Sequence, residues 1–244
     1  MKQLEYYEIV KEQLERQMTE EAENIEKVAQ YCADSITKKR VIHVFGCGHS
    51  QMFAMEVFYR AGGLVPVNAL IIPHLALFPK AKLSTIQERV EGFSGEYLKL
   101  ENTSADDTMI IVSISGRNAG VVDMALEAKK IGMKVVPLTS KEFSGSVSSR
   151  HSSGMHLKDA ADVAIDIKCV SGDACLSMPG MRDKFSGTST ILGMMVMNAI
   201  MARTIELCVE RGYTPPVYVS SNLDSGDVIN AEYIKQYRDL VTCL

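Results

Sequence analysis

Apolar positions along the chain follow two periods, and each predicts a different element. Over residues 3–36 they fall at Leu4, Tyr7, Leu14, Met18, Ile25, Val28, Cys32 and Ile36, with Glu, Lys and Gln between them. Spacings of three, four and seven predict one long amphipathic helix, packed on its own domain or against a second subunit. Continuous apolar runs at Val41–Phe45, Val65–Ile72, Thr108–Ile114, Met133–Leu138 and Ala161–Ile167 read as buried strands. Helical patterns separate them: one from Ser50 through Arg60 that stops at Gly62-Gly63, and one over Asn118–Ile131 capped by Gly132. Residues 73–84 read as an irregular connection, and Thr85–Leu100 as helical despite Gly92 and Gly95. After a Ser- and Gly-rich loop at 144–154 and the fifth strand, 170–187 has no period. Thr188–Gly212 then predicts a second long helix, 215–222 an extended segment, and Asp227–Val241 a last helix. Strands alternating with helices predict an α/β fold with a parallel sheet covered on both faces. With no repeat or linker, one domain is the economical division. Residues 1–38 form its helical extension, 39–212 its core and 213–244 a C-terminal extension.

Composition narrows the partners. The 244 residues are 46% hydrophobic and 23% charged, an ordinary globular balance, and the formal net charge is −4. No basic run offers a nucleic-acid face. The longest apolar run, Ile191–Ala202, contains Asn198 and reads as a buried helix rather than a membrane span. Six cysteines without a CxxC pair, and no signal-peptide pattern in Met1–Val10, point to a reducing cytoplasm.

Two strand-to-helix turns carry the candidate chemistry. Gly46-Cys-Gly-His-Ser50 follows the first strand, and Ser113-Ile-Ser-Gly-Arg-Asn118 follows the third. Such turns lie at the carboxyl edge of a parallel sheet, where ligands bind. Their backbone N–H groups and hydroxyls suit an oxyanion without lysine. Helix capping alone is the simpler reading of either turn taken singly. A dinucleotide is disfavoured, because Gln51 stands where the fingerprint needs its third glycine and Val67–Leu70 holds no acid. No GxxxxGK[ST] motif is present, and no cofactor is required. His151 and His156 are five apart with no third ligand, and Asn222–Asp227 lacks the calcium-loop spacing, so no metal site is assigned.

These two turns resemble the sugar isomerase (SIS) domain, through Gly46-x-Gly-x-Ser50 and Ser113-x-Ser-Gly-x-Asn118. Phe58-Tyr-Arg-Ala-Gly-Gly-Leu64, Ser149-Arg-His-Ser-Ser-Gly154 and Ser221-Asn-Leu-Asp-Ser-Gly-Asp227 are further similar to a bacterial group of stand-alone SIS proteins. The resemblance implies a flavodoxin-like, three-layer αβα sandwich with a five-stranded parallel sheet, assembled as a homodimer or homotetramer. It also implies a phosphorylated sugar bound by Gly48, His49, Ser50, Ser113, Ser115, Gly116, Arg117 and Asn118, with Thr139 and Ser140 near by. Relatives of this fold include phosphoheptose isomerase and N-acetylmuramic acid 6-phosphate etherase. The expected activity is therefore phosphosugar isomerisation through an enediol-type intermediate. An amino-sugar phosphate lyase and a non-catalytic phosphosugar sensor are the alternatives.

Isomerisation needs a base beside the carbonyl and an acid to move a proton between oxygens. The long helix after 188 carries no acid before Glu206, which departs from the glucosamine-type pattern. Glu56, an acid on a mostly apolar helix, is the candidate base, with pairing to Arg60 as its structural alternative. Glu91 resembles an acidic position of the etherases and otherwise reads as a solvated helix face. His151, in the Ser-rich loop beside Arg150, is the candidate acid/base partner. His43, inside the first strand, reads as a satisfied core residue.

Overall fold

In the computed structural model, which describes all 244 residues, five strands pair in parallel. They are β1 (Ile42–Gly46), β2 (Val67–Leu70), β3 (Thr108–Val112), β4 (Lys134–Thr139) and β5 (Ile165–Asp166), in the order β2-β1-β3-β4-β5. Nine helices and one antiparallel hairpin complete the chain: α1 (Lys2–Glu20), α2 (Ala22–Thr37), α3 (Gln51–Val57), α4 (Ala81–Gln87), α5 (Phe93–Leu98), α6 (Ala119–Ile131), α7 (Lys141–Ser146), β6 (Ala174–Leu176) with β7 (Phe185–Gly187), α8 (Ser189–Glu210) and α9 (Gly226–Tyr237). Successive strand residues point to opposite faces, so each strand feeds two cores. Val44, Ile110 and Val136 pack against α2, α3 and α8. Phe45, Ile111 and Val135 pack against α5 and α6. This is the expected three-layer αβα arrangement.

Where elements differ from the pattern, a specific contact accounts for the difference. The N-terminal stretch is two helices, not one, broken at Glu21. That carboxylate is only 2% exposed and is held by Lys168 Nζ at 3.1 Å and Lys141 Nζ at 3.3 Å, which ties the break to the β4–β5 end of the sheet. α3 stops at Val57 because Tyr59 turns to φ 43° and sets its ring on Tyr218, centroids 5.0 Å apart. The expected helix over 85–100 divides into α4 and α5 at Gly92, whose φ of 85° no helix accommodates. The segment 170–187 forms the β6–β7 hairpin, whose short strands were too brief to show a period. Helix α8 matches the long helix expected over 188–212. It spans 22 residues and is long and apolar enough to cross a membrane by length and composition, yet half of that stretch is buried within the fold. Arg203 on it reaches Glu26 of α2 at 2.8 Å, and Thr204 is fully buried.

Opposite the ligand edge, a buried carboxylate ties the sheet's N-terminal end together. Asp107 accepts from Arg40 Nε at 2.9 Å and Nη2 at 2.8 Å, and from the backbone N–H groups of Val41 and Ser104. His43 is fully buried, as expected of a core residue. Its Nδ1 accepts from Asn68 Nδ2 at 3.2 Å, leaving Nε2–H to face Asp107 Oδ2 at 3.3 Å. Burial opposes the charge on Asp107, but the bonds from His43 and Arg40 prevail and hold its pKa below 3.8.

Two stability predictions follow from this packing. A carboxylate with a depressed folded pKa contributes above its unfolded pKa, and that contribution is lost as pH falls through the folded value. Asp107→Asn should therefore lower unfolding stability at pH 7 by about 3–5 kcal/mol, read from urea midpoints, with the difference from wild type shrinking well below pH 4. Gly193 on α8 faces Phe53 so closely that a Cβ there would lie 1.9 Å from the ring. Gly193→Ala should cost about 1–3 kcal/mol by overpacking, measured the same way, despite alanine's better helix propensity.

Candidate functional site

The sheet register brings the two turns together. Gly46 at the end of β1 pairs beside Val112 at the end of β3, so Cys47–Ser50 and Ser113–Asn118 leave neighbouring strands at the same height. The chain from β1 then crosses toward β2 at one edge, and the chain from β3 toward β4 on the other side. Connections that diverge in this way leave a crevice at the carboxyl ends of the strands. A cleft of about 290 Å³ lies there, lined by Cys47–Ser50, Leu77, Ser84, Thr85, Glu88, Val112–Ser115, Asn118 and Phe143.

Backbone geometry shapes both walls. Gly46 has no room for a side chain, since a Cβ would stand 2.5 Å from the Ser50 carbonyl oxygen. Gly48 and Gly116 adopt φ of 58° and 59°, the left-handed region. The Gly116 N–H donates to Ser113 Oγ at 3.1 Å and closes the second turn. Asn118 then caps α6 with an extended backbone. Hydrogen-bond accounting shows what remains for a ligand. The hydroxyls of Ser50 and Ser115 have no protein partner, and neither do the N–H groups of Ser115, Arg117 and Asn118. Cys47 is buried, and burial with Glu88 near by pushes its thiol pKa far up, so it stays neutral. Gln51, which takes the place of a third glycine, donates from Nε2 to the Ile72 carbonyl at 3.0 Å and is structural.

The cleft also contains a carboxylate that the sequence pattern did not single out. Glu88 follows α4 and shares a face with Ser84 and Thr85, which also line the cleft. Burial raises its pKa above 4.5, while Asn118, Arg89 and Arg150 partly offset that rise. Its own carbonyl accepts from the Gly120 N–H at 2.9 Å, which fixes it to the start of α6. The available signal was the spacing 84, 85 and 88, masked because Ser84 reads as the end of an irregular connection and Thr85–Leu100 as a separate helix.

The three expected acid/base residues are held elsewhere. Glu56 projects from α3, on the α2–α8 face of the sheet. It pairs with Arg60 and accepts from Asn198 Nδ2 at 2.9 Å, beside a separate cavity of about 320 Å³ at Gly62–Leu64. Glu91 accepts from the Ser152 N–H and Oγ, both at 2.6 Å, and these bonds hold its pKa low. His151 accepts at Nδ1 from the Ser153 N–H (3.1 Å), so its Nε2–H faces Asp123 Oδ1 at 3.1 Å. Asp123 Oδ2 accepts from the Gly92 N–H at 2.6 Å as well. Glu91, His151 and Asp123 thus form one clamp that joins the segment after Glu88 to the 149–154 loop and to α6. None of the three expected groups lines the cleft.

Of the expected anion-binding residues, Gly48, His49, Ser50, Ser113, Ser115 and Asn118 line the cleft. Gly116 and Arg117 form the turn behind it. Thr139 donates to the Ile114 carbonyl at 3.0 Å, and Ser140 donates to the Cys169 carbonyl at 2.6 Å while capping α7. Both are occupied by backbone partners.

Comparison with known proteins agrees with this architecture. A family model described as SIS domain matches residues 5–140, from the N-terminal helix through β4. The chain belongs to the SIS domain family. Within it, a UPF0309 protein of Geobacillus kaustophilus is 36% identical over 240 residues, covering 98% of this chain and 96% of the relative. A UPF0309 protein of Listeria monocytogenes serotype 4b is 36% identical over 239 residues, covering 98% and 97%. Among solved SIS-like structures, phosphoheptose isomerase from Francisella tularensis aligns with a TM-score of 0.54 at 15% identity, over 84% of this chain and 97% of that one. The sugar isomerase domain of an RpiR transcription factor from Sphaerobacter thermophilus gives 0.50 at 16%, over 95% and 97%. At such identities the likeness is one of fold.

The site geometry makes one direct prediction. Gly46→Ala should push Ser50 out of the cleft wall, removing the thermal stabilisation by inorganic phosphate. The loss is read as a melting shift in phosphate present in wild type and absent in the variant.

Proposed function

We propose that the β1–β3 cleft binds a phosphorylated sugar and that the protein is a phosphosugar isomerase with Glu88 as its acid/base carboxylate. The observation that carries this reading is the pairing of an unpartnered hydroxyl and N–H wall with one carboxylate of raised pKa in the same cleft. Ser50, Ser115 and the Ser115–Asn118 backbone would hold the phosphate oxygens, a task that needs donors rather than net charge. Burial raises the Glu88 carboxyl above its ordinary 4.5 and so makes the carboxylate a stronger base, which suits proton transfer. In its ionised form it would take the proton from the carbon next to the carbonyl, giving an enediol. The same proton would return to the neighbouring carbon while the hydroxyl proton moves in the same direction, from the oxygen of the deprotonated carbon to the former carbonyl oxygen. Asn118 and the clamp built on Asp123 would keep the carboxylate aimed at that carbon. In this reading Glu56, Glu91 and His151 support structure around the site.

A test in D2O separates the parts of this proposal. Wild type incubated with a panel of aldose and ketose monophosphates should place solvent deuterium on one of them. Glu88→Gln should abolish exchange while keeping the ligand-induced melting shift. Retained exchange in Glu88→Gln would remove Glu88 from the role. Binding without exchange in wild type would instead favour the sensor reading, since the fold also occurs in a transcription factor's sugar isomerase domain.

The pH dependence has a definite sign. The base must be ionised, so kcat/KM should fall as pH drops through the raised pKa of Glu88, on a limb above 4.5. Raised folded pKa values mean stability is lost as pH rises through them. Glu88→Gln should therefore melt at pH 7 no lower than wild type, checked by calorimetry.

A further inference from the structure

Six arginines lie against carboxylates: Arg16, Arg40, Arg60, Arg182, Arg203 and Arg211. Apart from Arg238 after α9, those without one are Arg89, Arg117 and Arg150, and these three gather beside the cleft. Arg150 Nη1 donates to Asn118 Oδ1 at 3.0 Å, and its N–H donates to the Arg117 carbonyl at 2.8 Å. Arg117 reaches only Ser148 Oγ, at 3.3 Å, and its Nε is buried with no acceptor at all. Arg89 adjoins Glu88. Arg89 and Arg117 sit near enough to Arg150 to lower its pKa by repulsion, after the effect of burial. Glu88 is the one carboxylate that acts on Arg150 in the opposite sense.

Like charges held together with an orphaned donor are unfavourable for folding and favourable for an incoming anion. Guanidinium groups match the two oxygens of a carboxylate or phosphate. The turns after β1 and β3 already supply hydroxyl and N–H donors for one phosphate. We propose that the arginine cluster is a second anion subsite, so that the sugar phosphate taken by this protein carries another oxyanion, a carboxylate or a second phosphate. The inference rests on the phosphosugar reading of the cleft. Glu88 lies in the cleft, and Asn118 bonds both to its carboxylate and to Arg150 Nη1.

Calorimetric titration of fructose 6-phosphate, fructose 1,6-bisphosphate and 6-phosphogluconate tests the proposal and separates the two sources of the anion. At least one of the two doubly anionic ligands should bind about tenfold tighter than fructose 6-phosphate. Whichever does so names the second group as phosphate or carboxylate. The advantage should shrink at high salt. Arg150→Met should erase it while changing fructose 6-phosphate binding less, and Arg89→Met provides the same comparison if Arg150→Met fails to fold. Equal affinity for all three ligands overturns the second subsite and leaves the phosphosugar site standing. So does an equal loss for mono- and doubly anionic ligands in the variants, which would assign the arginines to the single phosphate. If none of the three sugars nor inorganic phosphate binds, both readings fall.

Discussion

The parallel pairing of β1 with β2 on one side and β3 on the other is the constraint on which the rest of the site depends. Because the connections from β1 and β3 leave in opposite directions, nothing fills the space above their carboxyl ends. The register Gly46 to Val112 then places two donor-rich turns at one level. Gly46 is required at that point because the Ser50 turn folds back over it. At the opposite end of the same strands, Asp107 gathers Arg40, His43 and two backbone N–H groups. The sheet is thus pinned by a satisfied polar knot at one end and left with unsatisfied donors at the other. The contrast is informative, since buried or half-buried polar groups are normally paired.

The layers divide the work. The α2–α3–α8 face is apolar and tight, with Gly193 admitting the Phe53 ring. The α5–α6 face carries the polar apparatus. Asp123 accepts from Gly92 and faces His151, and Glu91 accepts from Ser152, so three segments distant in sequence are bonded to one another. Glu88 sits just before this clamp and is fixed to α6 through the Gly120 N–H. Its position therefore comes from hydrogen bonds made by its neighbours, while its raised pKa comes chiefly from burial.

The alternation of apolar runs and amphipathic stretches made the sheet and its two faces legible, because strand and helix periods are local signals. The two anion-friendly turns were legible for the same reason, as glycines and hydroxyls next to strand ends. What was not legible depended on contacts distant in sequence. The break at Glu21 is made by Lys168 and Lys141, and no local residue marks it. Glu56 on an apolar helix looked costly and hence informative, but Arg60 and Asn198 satisfy it. His151 looked available in its Ser-rich loop, yet both ring nitrogens are engaged. Glu88 was not singled out because its place in the cleft depends on where α4 ends and on its contact with α6, neither of which is a local signal.

The central claim is that the turns after β1 and β3 together hold an oxyanion. A crystal structure of the full chain grown in inorganic phosphate tests it most directly. The account predicts phosphate within hydrogen-bond distance of the Ser50 and Ser115 hydroxyls and the Ser115–Asn118 backbone. Phosphate bound instead at the Gly62–Asn198 cavity, with the β1–β3 cleft holding only water, would contradict it.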